Sequence, residues 1–342
     1  MSRELYNTPI FFERNRVGRV YTGGKLFHGF FGDDPVDGFL PEEWVASSVK
    51  ALNKEMAHPK EGVSKIKDSD LYFDEVLTKF PDEMLGKGNK YRILVKLLDS
   101  AVRLPAQAHP DKPFSRKHFN SEYGKTESWL VLDTRPEAKI YFGFQDGVNK
   151  EIFSKAIDDS ETDKDAMERL LKYSYAQKGD LYLVPAKTVH AIGAGCLILE
   201  IQEPTDFTIQ PEHWCDKYKL NDQEMYISLD KETGIECFDF EADADTKLTP
   251  VIIIENEGVK IEELIGKKDT DCFIVNRITL KNSSYTLNVP DSYAVYIVTD
   301  GNGTITGDNY SKEIKKGDYF FMPCASMGKY RVNGNIEIVE CY

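Results

Sequence analysis

Six histidines occur in the chain, and two stand where a metal ion could be held. His109 ends the triplet Gln107-Ala108-His109, and an extended backbone turns Gln107 and His109 to one face. Glu127 lies just before the apolar run Trp129-Leu-Val-Leu132. His190 follows the apolar segment Leu181–Val184 and the turn Pro185-Ala-Lys-Thr-Val189. Two imidazoles, one carboxylate and one amide oxygen make a cage for a divalent ion. Neutral nitrogen with a single oxygen anion suits zinc, and iron or manganese less well. One carboxylate on a dication leaves about +1 at the site, which polarises a carbonyl or hydroxyl oxygen. The other histidines offer less: His118 reads as a surface residue, His213 packs beside Trp214, and His28 and His58 lack an evident partner. No nucleotide or phosphate loop is present, since Gly23-Gly24 and Gly124-Lys125-Thr126 fit no P-loop spacing.

The segments that must position these residues are mostly strand-like. Short runs of β-branched and aromatic residues alternate with Gly, Asp, Asn and Pro, as in an antiparallel sandwich or barrel. Helical periodicity is confined to two stretches, 70–100 and 150–175. An internal repeat organises the rest. Lys178-Gly-Asp-Leu-Tyr-Leu-Val-Pro-Ala186 is echoed by Lys316-Gly-Asp-Tyr-Phe-Phe-Met-Pro-Cys324, and Trp129-Leu-Val-Leu-Asp133 by Tyr296-Ile-Val-Thr-Asp300. From Asp133 to Gly179 is 46 residues, and from Asp300 to Gly317 is 17. The difference matches the helical stretch after Lys150, so two related β units are expected, the first with a helical insertion. The repeat also acts as a control. Glu127 falls opposite Ala294 and His190 opposite Gly328, so the ligand set belongs to the first unit only.

Length and composition agree with this layout. The chain has 342 residues, enough for two domains. It is 41% hydrophobic and 29% charged, with a net charge of −14. That balance builds a core and argues against a general nucleic-acid binder. Apolar runs such as Ala294–Val298 are far short of a membrane span, and the opening residues 1–6 read as lacking an apolar leader. Six scattered cysteines without a CxxC pair read as free thiols in a reducing cytoplasm.

Four segments carry a family resemblance: Gln107-Ala-His-Pro-Asp-Lys112, Gly124-Lys-Thr-Glu-Ser-Trp129, Gly179-Asp180 through Val184-Pro185 to His190-Ala191, and Leu199-Glu-Ile-Gln202. In these the sequence resembles the type I mannose-6-phosphate isomerases, which are cupin enzymes. The resemblance implies a mainly β fold of two cupin-like, jelly-roll units. The catalytic domain would span 1–248, with helical insertions near 68–100 and 150–177, and a degenerate C-terminal unit 249–342. It implies one zinc held by Gln107, His109, Glu127 and His190, with Lys125 and Glu200 at active-site positions. The implied reaction interconverts mannose 6-phosphate and fructose 6-phosphate by moving a proton between C1 and C2 through an enediol. That chemistry needs a base, an electrophile at the developing oxyanion, and a grip on the far end of the sugar. A small-molecule sugar phosphate is then the partner, with neither nucleic acid nor membrane, in a cytoplasmic monomer or homodimer.

Two positions depart from the family. Pro105 stands where the family usually has a serine that helps hold phosphate, and Gln210 where it usually has an arginine implicated in catalysis. Proline has no side-chain donor, and glutamine does not replace a permanent cation. Compensation is available between Arg103 and Lys125, where Arg103, Lys112, Arg116, Lys117 and Lys125 face only Asp111 and Glu122. Arg103, Lys112 and Lys125 are therefore the candidate phosphate contacts, with Arg103 first. The same departures leave open an isomerase or epimerase of another, non-phosphorylated sugar, or a sugar-sensing cupin that kept its metal.

Overall fold

The computed structural model describes residues 5–53, 57–242 and 246–342. Two antiparallel sheets dominate. In the first, strands run in the order Lys247–Leu248, Leu181–Val184, Glu127–Thr134, Cys196–Gln202, Leu94–Asp99, Glu42–Val45 and Arg16–Val17. The second runs Ile10–Phe11, Tyr319–Met322, Ala294–Gly307, Arg331–Cys341, Val275–Thr286, Val259–Ile265 and Val251–Asn256. The repeat read from sequence falls on equivalent strands. Leu181–Val184 beside Glu127–Thr134 corresponds to Tyr319–Met322 beside Ala294–Gly307. The Lys-Gly-Asp turns that enter them need a left-handed backbone at Gly179 (φ +93) and Gly317 (φ +88), which glycine adopts without steric cost. Chain and sheets do not divide at one point, however. The N-terminal pair Ile10–Phe11 crosses to the second sheet and pairs with Phe320 and Phe321.

Strand alternation separates two kinds of core. Trp129, Val131, Tyr182, Val184 and Ile198 fill the interior of the first unit with Ile140 and Phe142. Their neighbours Leu130, Leu181, Leu197, Leu199 and Ile201 point the other way. There they meet Val295, Ile297, Phe321, Val339 and Cys341 of the second unit in one continuous cluster. The two units are thus joined through a shared apolar layer.

Helices are shorter than the periodicity predicts. Between 68 and 100 only Phe73–Lys79 and Pro81–Leu85 are helical, and Leu94–Asp99 is a strand. All six residues of that strand are buried, because it lies between Cys196–Gln202 and Glu42–Val45. A strand covered on both faces reads as a continuous apolar run, which resembles a buried helix. In the second stretch the helix is Lys150–Asp159, and Leu171–Tyr175 is a strand paired with Lys139–Phe144. All six cysteines are free, five of them buried.

One buried charge network pins the first unit's N-terminal segment to its sheet. Arg19 donates from Nε and Nη2 to Glu42, from Nη1 and Nη2 to Asp206, and from Nη1 to Asn53 Oδ1, so all five N–H groups are used. Tyr21 Oη and Trp44 Nε1 also donate to Glu42, at 2.7 and 2.6 Å. Burial pushes the Glu42 carboxyl up, but Arg19 and Lys96 outweigh it and hold it at about 2.

Two outcomes follow. Phe321, fully buried against Phe73 and Tyr293, sits in the shared layer. Phe321→Ala should cost about 3–5 kcal/mol in urea unfolding; a loss under about 1 kcal/mol would show that the layer does not hold the units together. A folded-state pKa below the ordinary 4.5 stabilises above that value and is lost as pH falls toward about 2. The stability gap between the native chain and Glu42→Gln should be on the order of 3 kcal/mol at pH 7 and shrink steadily below about pH 4.5. A gap independent of pH would exclude an ionised, ion-paired Glu42.

Candidate active site

The candidate ligands come from three segments held together by backbone bonds. Gln107 and His190 pair as an isolated antiparallel bridge, each N–H on the other's carbonyl at 3.0 and 2.9 Å. Lys187 N donates to His109 O at 2.7 Å, so the turn before His190 is also fixed on the His109 segment. Glu127 opens the strand Glu127–Thr134. The residues before it cross the 107–111 segment closely: Lys125 N donates to Pro110 O, and a Cβ on Gly124 would stand 2.6 Å from that same oxygen. Only glycine fits there. Asp111 then caps the helix Lys112–Phe119 by accepting from Phe114 N.

His109, Glu127 and His190 bring one ligand atom each within 4.8 Å of one another, and all three are buried. His109 Nε2 lies 3.2 Å from Glu127 Oε2, and His190 Nε2 lies 3.4 Å from Glu127 Oε1. Each ring is fixed from behind. His109 Nδ1 meets Phe207 O at 3.0 Å, and His190 Nδ1 meets Thr188 O at 2.9 Å. A carbonyl accepts only, so both Nδ1 atoms carry hydrogen and both Nε2 lone pairs face inward. Burial, with the Lys125 ammonium adding to it, pushes His109 down to about 3; burial also lowers His190. Burial opposes ionisation of Glu127, yet the Lys125 ammonium beside it holds its carboxyl well below the ordinary range.

This donor set fits a divalent ion. Two neutral imidazoles and one ionised carboxylate converge in a water-poor spot, and His190 Nε2 has no hydrogen-bond partner. The Lys125 ammonium already lies among these atoms, 2.7 Å from His109 Nε2 and bonded to Glu127 Oε2. The position therefore attracts a cation. Gln107 lines the adjoining cavity beside this cluster.

That cavity is about 460 Å³ and is walled by Glu200, Lys96, Lys125, Gln107 and Gln210 among others. Glu200 lies on Cys196–Gln202, directly opposite Lys96 on the neighbouring strand. Lys96 Nζ stands 3.3 Å from Glu200 Oε1 and 3.8 Å from Asp206 Oδ1, against the ring face of Trp44. Burial, and next the Glu127 carboxylate, raise the Glu200 pKa.

The remaining candidates are placed differently. Gln210 is on the cavity wall, but its Nε2 donates to Glu224 O at 3.0 Å and so ties the loop to the helix Asp222–Tyr226. Arg103 does not line the cavity. Its guanidinium is gripped by buried Glu212 and lies 3.3 Å from Glu168, while Glu212 also accepts from Ala106 N. It brackets the loop that delivers Gln107. Lys112 is also off the wall, 3.4 Å from Asp271 of the second unit and 3.9 Å from Glu203. Pro105 is on the wall, as its place in the sequence implies.

Sequence reasoning missed Arg19, Glu42, Lys96 and Asp206, all of which line the cavity. Lys96 left a signal: it is the one charge inside Ile93-Leu-Val-Lys-Leu-Leu98, and on a strand it faces inward. The duplicate unit repeats part of the pattern. Glu340 is cross-strand from Tyr296 and Asn276 as Glu200 is from Trp129 and Lys96. There the carboxyl accepts from Tyr296 Oη and Asn276 Nδ2, with no ammonium in the Lys96 place.

Comparison with known proteins agrees with this architecture. A family model described as "Mannose-6-phosphate isomerase, cupin domain" matches residues 267–342. The Bacillus subtilis protein named "Probable mannose-6-phosphate isomerase GmuF" is 28% identical, with 99% of each chain covered. "Mannose-6-phosphate isomerase ManA" of the same organism is 29% identical over 74% of this chain and 75% of its own. A crystal structure of the mannose 6-phosphate isomerase from Bacillus subtilis superposes with a TM-score of 0.78 at 23% identity, over 98% of this chain and 99% of the other. With a duplicated β unit and a His–Glu–His cluster in the first copy, the chain is similar over its whole length to the mannose-6-phosphate isomerases and shares their cupin fold.

Proposed function

We propose that the chain is a metal-dependent aldose–ketose isomerase that moves a proton between C1 and C2 of a hexose through an enediol. Mannose 6-phosphate is the substrate in the relatives' names, and moving its C2 proton to C1 gives fructose 6-phosphate as the ketose. One observation carries the reading: three metal-ligand atoms converge beside a cavity whose wall holds a buried, cation-paired carboxylate.

Gln107, His109, Glu127 and His190 would hold the ion. When bound, a divalent ion polarises the sugar oxygen next to the reacting carbon and makes that carbon's hydrogen more acidic. Glu200 then serves as the base. Its raised pKa brings it nearer the value at which a carboxylate both takes and returns a proton at neutral pH. For an aldose, Glu200 removes the hydrogen from C2 while the carbonyl oxygen at C1 gains one, giving the enediol. Return of the proton to C1 and loss of one from the C2 hydroxyl gives the ketose. Lys96 beside Glu200 stabilises its ionised form before the first transfer and after the second. Lys125, two residues from Glu127, is in reach of the same oxygens and donates to them. The three carboxylate-paired cations also keep this floor dry and ordered, as proton transfer between carbons requires.

Glu200→Gln is expected to lower kcat by about 10²–10⁴-fold with metal content unchanged, in a coupled assay run beside elemental analysis. Full activity would remove Glu200 from the mechanism. His190→Ala is expected to lose the metal, and retention of one equivalent would defeat the ligand assignment. Chelation should abolish turnover and zinc, manganese or cobalt should restore it; an apoprotein of undiminished rate would sink the metal-dependent reading.

A further inference from the structure

The second sheet ends on a strand that the isomerase reading leaves unused. Val251–Asn256 pairs on one side only among the described residues, with Val259–Ile265, and none of its residues lines the cavity. All six are exposed. Four in succession are aliphatic: Val251, Ile252, Ile253 and Ile254 are 41, 50, 51 and 43% exposed. Side chains alternate along a strand, so a run of four makes both faces of this edge apolar. Edge strands left open are normally guarded by charges or proline within them. Here Pro250 stands before the run and Glu255 after it, and the run itself carries neither.

The edge is also unfinished in its packing. Ile254 stands opposite Ile261, and the row continues across the sheet through Ile278 and Ile338 to Val298. Those four are buried in the interior of the second unit, and Ile254 is the open end of the row. A register shift between Ile252 and Ile254 leaves Ile253 without a partner residue on Val259–Ile265.

The charges around the run choose its occupant. Lys247, half exposed beside Asp180, precedes it, and exposed Glu255 and Glu257 follow it. A second copy laid antiparallel, with its centre between Ile252 and Ile253, sets Val251 against Ile254 and Ile252 against Ile253. The same register brings Glu257 level with Leu248, next to Lys247, at both ends. A parallel copy would set Glu255 and Glu257 against their own duplicates, which is unfavourable. The antiparallel pair is a closed two-fold contact, apolar at its centre and of opposite charge at its ends.

We infer that Val251–Asn256 is the contact of a homodimer, in which two copies join antiparallel and the second sheet of one runs into that of the other. The bulge at Ile253 bends the strand and keeps the pairing short. The patch is therefore smaller than a standard interface, and the association is modest, with a Kd on the order of 10 µM. Nothing in this depends on the reaction, and its failure would leave the isomerase reading untouched.

Sedimentation equilibrium of the full chain from about 1 to 200 µM should show a reversible monomer–dimer equilibrium. Ile253→Asp buries a carboxylate in the contact and should weaken the dimer by at least about 30-fold. Should that variant fail to fold, hydrogen exchange on the native chain decides: the amides of Val251–Asn256 should gain protection as concentration rises through the same range. A monomer throughout would overturn the inference. So would a dimer of equal strength in Ile253→Asp, protection gained elsewhere and not on this strand, or open-ended association in place of a closed dimer.

Discussion

Everything in the first β unit answers to one electrostatic demand: a carboxylate, Glu127, is buried with two neutral imidazoles whose lone pairs face it. A buried carboxylate needs a cation, or it protonates. The Lys125 ammonium meets this need in the structure, and the His109, Glu127 and His190 cluster could hold a divalent ion in its place. Around that centre the charges are balanced in layers. Glu200 is set against Lys96, Lys96 against Asp206, and Asp206 and Glu42 against Arg19. Removing one member leaves its neighbour uncompensated, so the floor is rigid because its charges are interlocked.

The duplicated unit shows what this arrangement costs and what remains when it is absent. Ala294 and Gly328 occupy the places of Glu127 and His190, and the interior there closes with Tyr296, Phe320 and Met322. One carboxylate, Glu340, survives in the Glu200 place, satisfied by a tyrosine hydroxyl and an asparagine amide, and burial raises its pKa. Neutral partners suffice for the Glu340 carboxyl there. The second unit then contributes through its other face, the apolar layer shared with Leu199, Ile201 and Leu130.

Much of this was legible in the sequence because it rests on local rules. The Lys-Gly-Asp turns and the strand alternation follow from residue type and spacing, and the repeat with the family resemblance pointed to the first unit, where His109, Glu127 and His190 cluster. The strand Leu94–Asp99 was misread as helix because burial on both faces erases the two-residue period. That error hid Lys96, and with it the pair it forms with Glu200. The pairing of Arg103 was hidden for a different reason: its partner lies far along the chain, at Glu212, and no local signal announces it. Arg19, Glu42 and Asp206 meet only through the topology, across 187 residues between Arg19 and Asp206.

The most direct check on the central claim is anomalous diffraction from crystals of the protein loaded with zinc. One peak per chain is predicted between Nε2 of His109, Nε2 of His190 and the Glu127 carboxylate, with Lys125 displaced into the cavity. A map with no peak there, or with the ion bound elsewhere and Lys125 still seated on Glu127, would contradict the account.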